Sequence, residues 1–230
     1  VTLTHLLFDL HGTLVEAARL PAAYAQGVGQ VMAARYGGDA ARWAQEQRTI
    51  ADDWDSYYAD LDLTGDRGMD DLREGEIRTT RALFRLTGVL LPPADELAAL
   101  ARALPYEAVR GCDVLYPAAR PALERLHRAG YTLGAASLST AALTRGLLEG
   151  GGVLHLFNGV LMGADTAGRF VKDAAFYRAS GLEPTSCVVV DDSADGLSGA
   201  RAAGMSAYRV ANGDLAPLLV ALIPADGTLA

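Results

Sequence analysis

Two textures of apolar and polar positions divide this chain. It opens on an apolar run of strand length, Leu6-Leu7-Phe8, that ends in Asp9; Gly12-Thr13 then turns the chain before Leu14 resumes packing. Residues 16–110 carry helical spacing and no strand pattern. Leu20-Pro21 suits a first helical turn, and Tyr24, Val28, Val31, Met32 and Tyr36 fall on one face. A second helical pattern runs over 40–58 through Trp43 and Trp54, a third over 70–86, and a fourth, after Pro92-Pro93, over 95–104. Residues 60–69, rich in Asp and Gly, read as a connection. Some four helices are expected here, enough for a small bundle.

From Gly111 onward, short apolar runs alternate with helical segments. The spacing predicts helices over 117–129, closed by Gly130; from Ser139 or Thr140 to Leu148; over 174–180; and over 194–203, closed by Gly204. Strands are predicted over 131–136, 160–162, 187–190 and 207–210. Such alternation implies a parallel sheet with helices on both faces. The expected fold class is α/β: a doubly wound, Rossmann-like parallel-sheet core made of residues 1–15 and 111–230. Residues 16–110 are inserted after the first strand as an α-helical cap.

With 230 residues, 50% of them hydrophobic, the chain can bury a full core. The formal net charge of -8 argues against broad contact with nucleic acid or an anionic membrane, both of which reward clustered Lys and Arg. An anionic substrate must then be met by a local site. Cys112 and Cys187 are too few for a disulfide framework, and no signal-peptide pattern or bilayer-length apolar run is found, so a cytoplasmic location is expected.

Candidate chemistry sits at the strand ends. Asp9 stands where ligands bind in open α/β sheets, outside the carboxyl end of a strand. Ser137 ends the second strand, and Asp191-Asp192 follow the apolar run Cys187-Val188-Val189-Val190. Lys172, just before a helix, is the only lysine in a chain whose other basic residues are arginines, which suggests a place that needs a compact ammonium. Carboxylates at two strand ends suit Mg2+, which prefers oxygen ligands and commonly combines one or two carboxylates with a substrate phosphate. A hydroxyl, an ammonium and a metal ion would neutralise a phosphoryl group while a carboxylate attacks it. Taken singly, Ser137 and Asp191-Asp192 read equally well as helix caps. Their joint occurrence in this order makes capping alone a poor explanation of the set.

In this order the motifs resemble those of the haloacid dehalogenase superfamily, phosphatase-like and with a helical cap, over nearly the whole chain. Asp9-Leu10-His11-Gly12-Thr13-Leu14 matches the first motif, Asp-x-Asp-Gly-Thr-Leu, except at its second Asp. Ser137 matches the second motif and Lys172 the third. Asp191-Asp192-Ser193, with 199–205 following, matches the fourth. The resemblance implies Asp9 as the nucleophile that forms an aspartyl intermediate. It implies Mg2+ held by the carboxylates of Asp9 and Asp192 and the backbone carbonyl of His11, with Asp191 close by. Ser137 and Lys172 would bind the phosphoryl group of a small phosphorylated or other anionic metabolite.

His11 stands where the family's phosphatases carry the acid/base Asp. Histidine can fill that role near neutral pH, where Mg2+ and Lys172 disfavour imidazolium and Asp9, Asp191 and Asp192 favour it. Three readings follow: a Mg2+-dependent phosphomonoester phosphatase using His11; a dehalogenase-type or other hydrolase, a class that lacks the second Asp but also the paired carboxylates; and a fold-retaining binding or regulatory protein with impaired turnover. Leu138, Asp173 and Gly196 depart from common family residues. Within the cap, Arg19, Arg42, Arg48, Trp54, Tyr57 and Tyr58 are unranked candidates for contact with substrate, and the crossings near Val15 and Gly111 would let the cap open and close.

Overall fold

A computed structural model describes residues 3–223. Five parallel strands form one sheet in the order β3-β2-β1-β4-β5: β1 His5–Phe8, β2 Thr132–Ala136, β3 Leu161–Met162, β4 Cys187–Asp191 and β5 Ser206–Arg209. In register, Phe8 of β1 lies between Ala135 of β2 and Val190 of β4. Side chains alternate across the two central strands. Leu6, Phe8, Val188 and Val190 enter the larger core; Leu7, Cys187 and Val189 enter a second core with Phe176, Tyr177 and Ala200. Both faces of the sheet are therefore covered, as a parallel sheet requires.

The first five of the six helices between β1 and β2 fall in the inserted segment: α1 Leu20–Tyr36, α2 Ala40–Asp52, α3 Trp54–Tyr58, α4 Gly68–Thr87 and α5 Ala94–Val109. The helical pattern over 40–58 is two helices rather than one, because Asp53 leaves helical geometry (φ -113°, ψ 25°) and its carboxylate accepts a hydrogen bond from Ser56 Oγ. The fourth predicted helix does not stop before Pro105 but continues to Val109. Proline removes one N–H donor, and burial of Leu104, Ala108 and Val109 along the same face outweighs that loss. The chain leaves the sheet and returns through a short antiparallel crossing, with Glu16 N–H donating to Val114 O and Tyr116 N–H to Leu14 O.

The remaining helices are α6 Ala119–Arg128, α7 Ala141–Gly150, α8 Ala164–Ala167, α9 Ala174–Arg178, α10 Ala194–Ala202 and α11 Ala216–Leu222. Of these, α8 and α11 have no counterpart in the sequence reading. Thr140, not Ser139, caps α7 by accepting from Leu143 N–H. No helix of the described residues is long and apolar enough to cross a membrane.

Candidate active site

Strand order reverses between β1 and β4, so their carboxyl ends border the crevice where open α/β sheets bind ligands. Asp9 follows β1, and Asp191 ends β4. Both are buried, and a single ammonium joins them: Lys172 Nζ donates to Asp9 Oδ1 at 2.5 Å and to Asp191 Oδ2 at 2.7 Å. The other oxygen of Asp191 accepts from Ser193 N–H and Ser193 Oγ at the start of α10. Asp191 is thus fully engaged in fixing Lys172 and the helix behind it.

Asp192 is only partly buried, and no side-chain hydrogen bond reaches it among the described residues. Its carboxylate packs against the turn after β1. A side chain at Gly12 would put a carbon 2.2 Å from Asp192 Oδ2, and Gly12 also has φ +84°, so both space and backbone favour glycine there. Gly196, a departure from the family pattern, has a similar cause: a Cβ would lie 2.2 Å from Asp191 Oδ2. Asp173, another departure, caps α9 by accepting from Phe176 N–H and also pairs with Arg169.

Asp9, Asp191 and Asp192 each offer an oxygen within 4.8 Å of the others. The His11 carbonyl, which accepts no hydrogen bond among the described residues, adds a further hard donor. All-oxygen donors of this kind fit Mg2+. With Asp191 engaged by Lys172 and Ser193, Asp9, Asp192 and the His11 carbonyl are the donors best suited to hold it. Near the cluster, the hydroxyl of Tyr177 is buried without a hydrogen-bond partner among the described residues, and burial and then Asp191 and Asp9 push its phenol up.

Burial pushes the Asp9 carboxyl up to about 6, against the pull of Lys172. His11 is shifted the other way. Burial and Lys172 hold its imidazole below the ordinary value despite Asp192. Its Nε2 is 2.8 Å from Ser139 Oγ, a partner the sequence reading assigned only as a possible helix cap. Ser137 is buried at the end of β2, where its N–H donates to Met162 O and its Oγ accepts from Ser139 N–H. It braces the loop that carries Ser139.

A cavity of about 760 Å³ opens beside His11 and Ser139, walled by α1, α2, α4 and α5. Of the six cap candidates, Arg48, Trp54 and Tyr58 line it. Arg19 and Arg42 are turned to backbone carbonyls of Asp113 and Leu86, and Tyr57 lines a separate groove with Arg78, Arg81 and Arg85. Tyr24, Gln47, Glu76 and Thr80, which no motif signals, also line the large cavity. Only a pattern of polar residues on otherwise apolar helix faces could have marked them.

Comparison with known proteins follows the same lines. Phosphatase MT3486 of Mycobacterium tuberculosis (strain CDC 1551 / Oshkosh) is 36% identical over 99 residues, 41% of this chain and 46% of that protein, so the match spans about half the relative's length. Among solved structures, the defluorinating L-2-haloacid dehalogenase Rha0230 gives a TM-score of 0.54 at 21% identity, covering 90% of this chain and 80% of the other. CbbY from Rhodobacter sphaeroides, in complex with phosphate, gives 0.51 at 17% identity, covering 93% and 96%. These two share the fold. The model of the haloacid dehalogenase-like hydrolases matches residues 3–204, and the chain belongs to that family.

Proposed function

We propose that the chain is a Mg2+-dependent phosphomonoesterase that transfers the phosphoryl group to Asp9. The observation that carries this reading is the oxygen donor set of Asp9, Asp192 and the His11 carbonyl beside the Lys172 ammonium. Such a set is built to collect negative charge on a phosphoryl group. Bound there, Mg2+ would supply charge neutralisation and orientation of the phosphoryl oxygens.

Lys172 holds Oδ1 of Asp9 and so fixes the carboxylate for attack through its other oxygen. That oxygen bonds to phosphorus as the ester P–O bond breaks, and the electron pair leaves on the alcohol oxygen. His11, with its imidazole biased to the neutral form, is a weak proton donor at this step, which favours leaving groups stable as phenolates. In the second step water attacks phosphorus and His11 takes its proton. Asp9 is regenerated as inorganic phosphate departs. Ser139 orients the ring for this role through Nε2. The inserted helices act as a cap that excludes bulk water during phosphoryl transfer to Asp9 and then admits the one water that His11 activates.

A second reading, attack of Asp9 on carbon to expel halide, is favoured by His11, since no carboxylate stands where a phosphatase acid would be. The carboxylate pair Asp191-Asp192 weighs against it. Side-by-side assays of phosphate release from 4-nitrophenyl phosphate and of halide release from 2-chloropropionate, each with and without Mg2+, separate the two.

A further inference from the structure

The cavity beside His11 is much larger than a phosphoryl group needs, and its volume is that of a pocket for a whole small molecule. Its walls are mostly apolar, with Leu20, Leu72, Leu83 and Leu104 among them. Arg48, Asp52 and Glu76 are the charged residues that interrupt that surface; Asp52 is exposed at its edge, and Glu76 is the carboxylate set into the wall. Glu76 of α4 is half-buried, and its side chain takes part in no hydrogen bond or ion pair among the described residues. Holding a charge there without a partner is unfavourable, and a ligand of opposite charge removes the penalty. Two phenols stand by the same group: the Glu76 carboxylate helps burial push both Tyr24 and Tyr58 up. The hydroxyl of Tyr58, itself 8% exposed, has no hydrogen-bond partner among the described residues. A carboxylate flanked by aromatic rings is a chemistry that recognises ammonium.

We infer that the cavity receives the leaving group and that Glu76 is the counter-charge for an ammonium on it. This rests on the phosphatase reading and deepens it: the substrate class is a phosphate monoester of an apolar alcohol or phenol that carries a protonated amine. His11 and Ser139 line the cavity at the end where the ester oxygen would depart, so one molecule bridges the metal-and-lysine end and Glu76. In support, burial and then Asp165 push the Glu76 carboxyl up to about 7 against Arg73 and Arg102, and an ammonium alongside would reverse that rise.

The test compares three esters with similar phenol leaving groups: 4-(2-aminoethyl)phenyl, 4-propylphenyl and 4-(2-carboxyethyl)phenyl phosphate, assayed with Mg2+. The expected kcat/KM for the amine is about tenfold or more above the propyl ester, with the carboxylate lowest, as for a charge-assisted contact. In Glu76→Gln the ratio of amine to propyl falls toward one. Equal rates for the three esters in the unaltered protein, or a ratio that survives Glu76→Gln, overturn the inference. If no ester, including 4-nitrophenyl phosphate, releases phosphate, the phosphatase reading fails instead. Calorimetric titration with 4-(2-aminoethyl)phenol and 4-propylphenol then decides the cavity assignment: tighter binding of the amine upholds it, and equal or weaker binding overturns it.

Discussion

Lys172 Nζ lies 2.5 Å from Asp9 Oδ1 and 2.7 Å from Asp191 Oδ2, with all three side chains at most 8% exposed. The ammonium compensates two buried carboxylates at the ends of adjacent strands. Replacing it with Met leaves both without a counter-charge, Asp191 keeping only its hydrogen bonds from Ser193, and the metal-free protein should lose about 3 kcal/mol or more. Urea unfolding of Lys172→Met measures this. Lys172→Arg should fail to restore activity, because a planar guanidinium cannot occupy the point that the ammonium shares between two oxygens.

Ser139 meets His11 but does not cap α7, a role held by Thr140. Ser139→Ala should therefore shift the pH dependence of kcat while changing stability by only about 1 kcal/mol or less. A stability loss with an unchanged pH profile would mean that Ser139 is structural only.

His11 carries a depressed pKa and so serves better as a base than as an acid. Aryl phosphates should then be hydrolysed faster than alkyl phosphates of similar size. His11→Asp should raise the rate for alkyl esters more than for aryl esters, measured as kcat for a matched pair.

Gly196 presses on the Asp191 carboxylate, and a methyl group there would sit 2.2 Å from Oδ2. Gly196→Ala should move Asp191 off Lys172 and lower kcat by about tenfold to a hundredfold, as small displacements at reacting centres do. A fully active Gly196→Ala would show that Asp191 does not position Lys172.

Glu76 links pH to stability. Its folded-state value of about 7 lies above the ordinary 4.5, so between these pH values the native state keeps a proton that the unfolded chain has lost. Stability should fall as pH rises through that window and level off above it, by roughly 1–3 kcal/mol after allowing for partial exposure to the cavity. Glu76→Gln should reduce this slope to the smaller part that Asp9, with its carboxyl raised to about 6, contributes, and be the more stable form at pH 8. Denaturation at pH 5 and pH 8 in the absence of ligand checks it.

Much of this was legible in the chain. The apolar run into Asp9, the run into Asp191 and the lone Lys172 are local signals, and folding brings them together because parallel strands align their carboxyl ends. Elements α8 and α11 were not legible: α8 has only four residues, and the apolar run of α11 is too short to separate helix from strand. Nor did the sequence distinguish Ser139 from Thr140, since both suit a cap and only the path of the loop turns one toward His11. Glu76 is the clearest case. On α4 it looks like any acidic residue on a charged helix, and only the packing of α1, α2 and α5 around it makes it an unpaired carboxylate in an apolar cavity.

The most direct test of the central claim is phosphate release from 4-nitrophenyl phosphate by the unaltered protein and by Asp9→Asn, with Mg2+ and with a chelator. Release that needs Mg2+ and vanishes in Asp9→Asn is the predicted result. Metal-independent release of halide from 2-chloropropionate, with no phosphate release under any condition, would contradict the account.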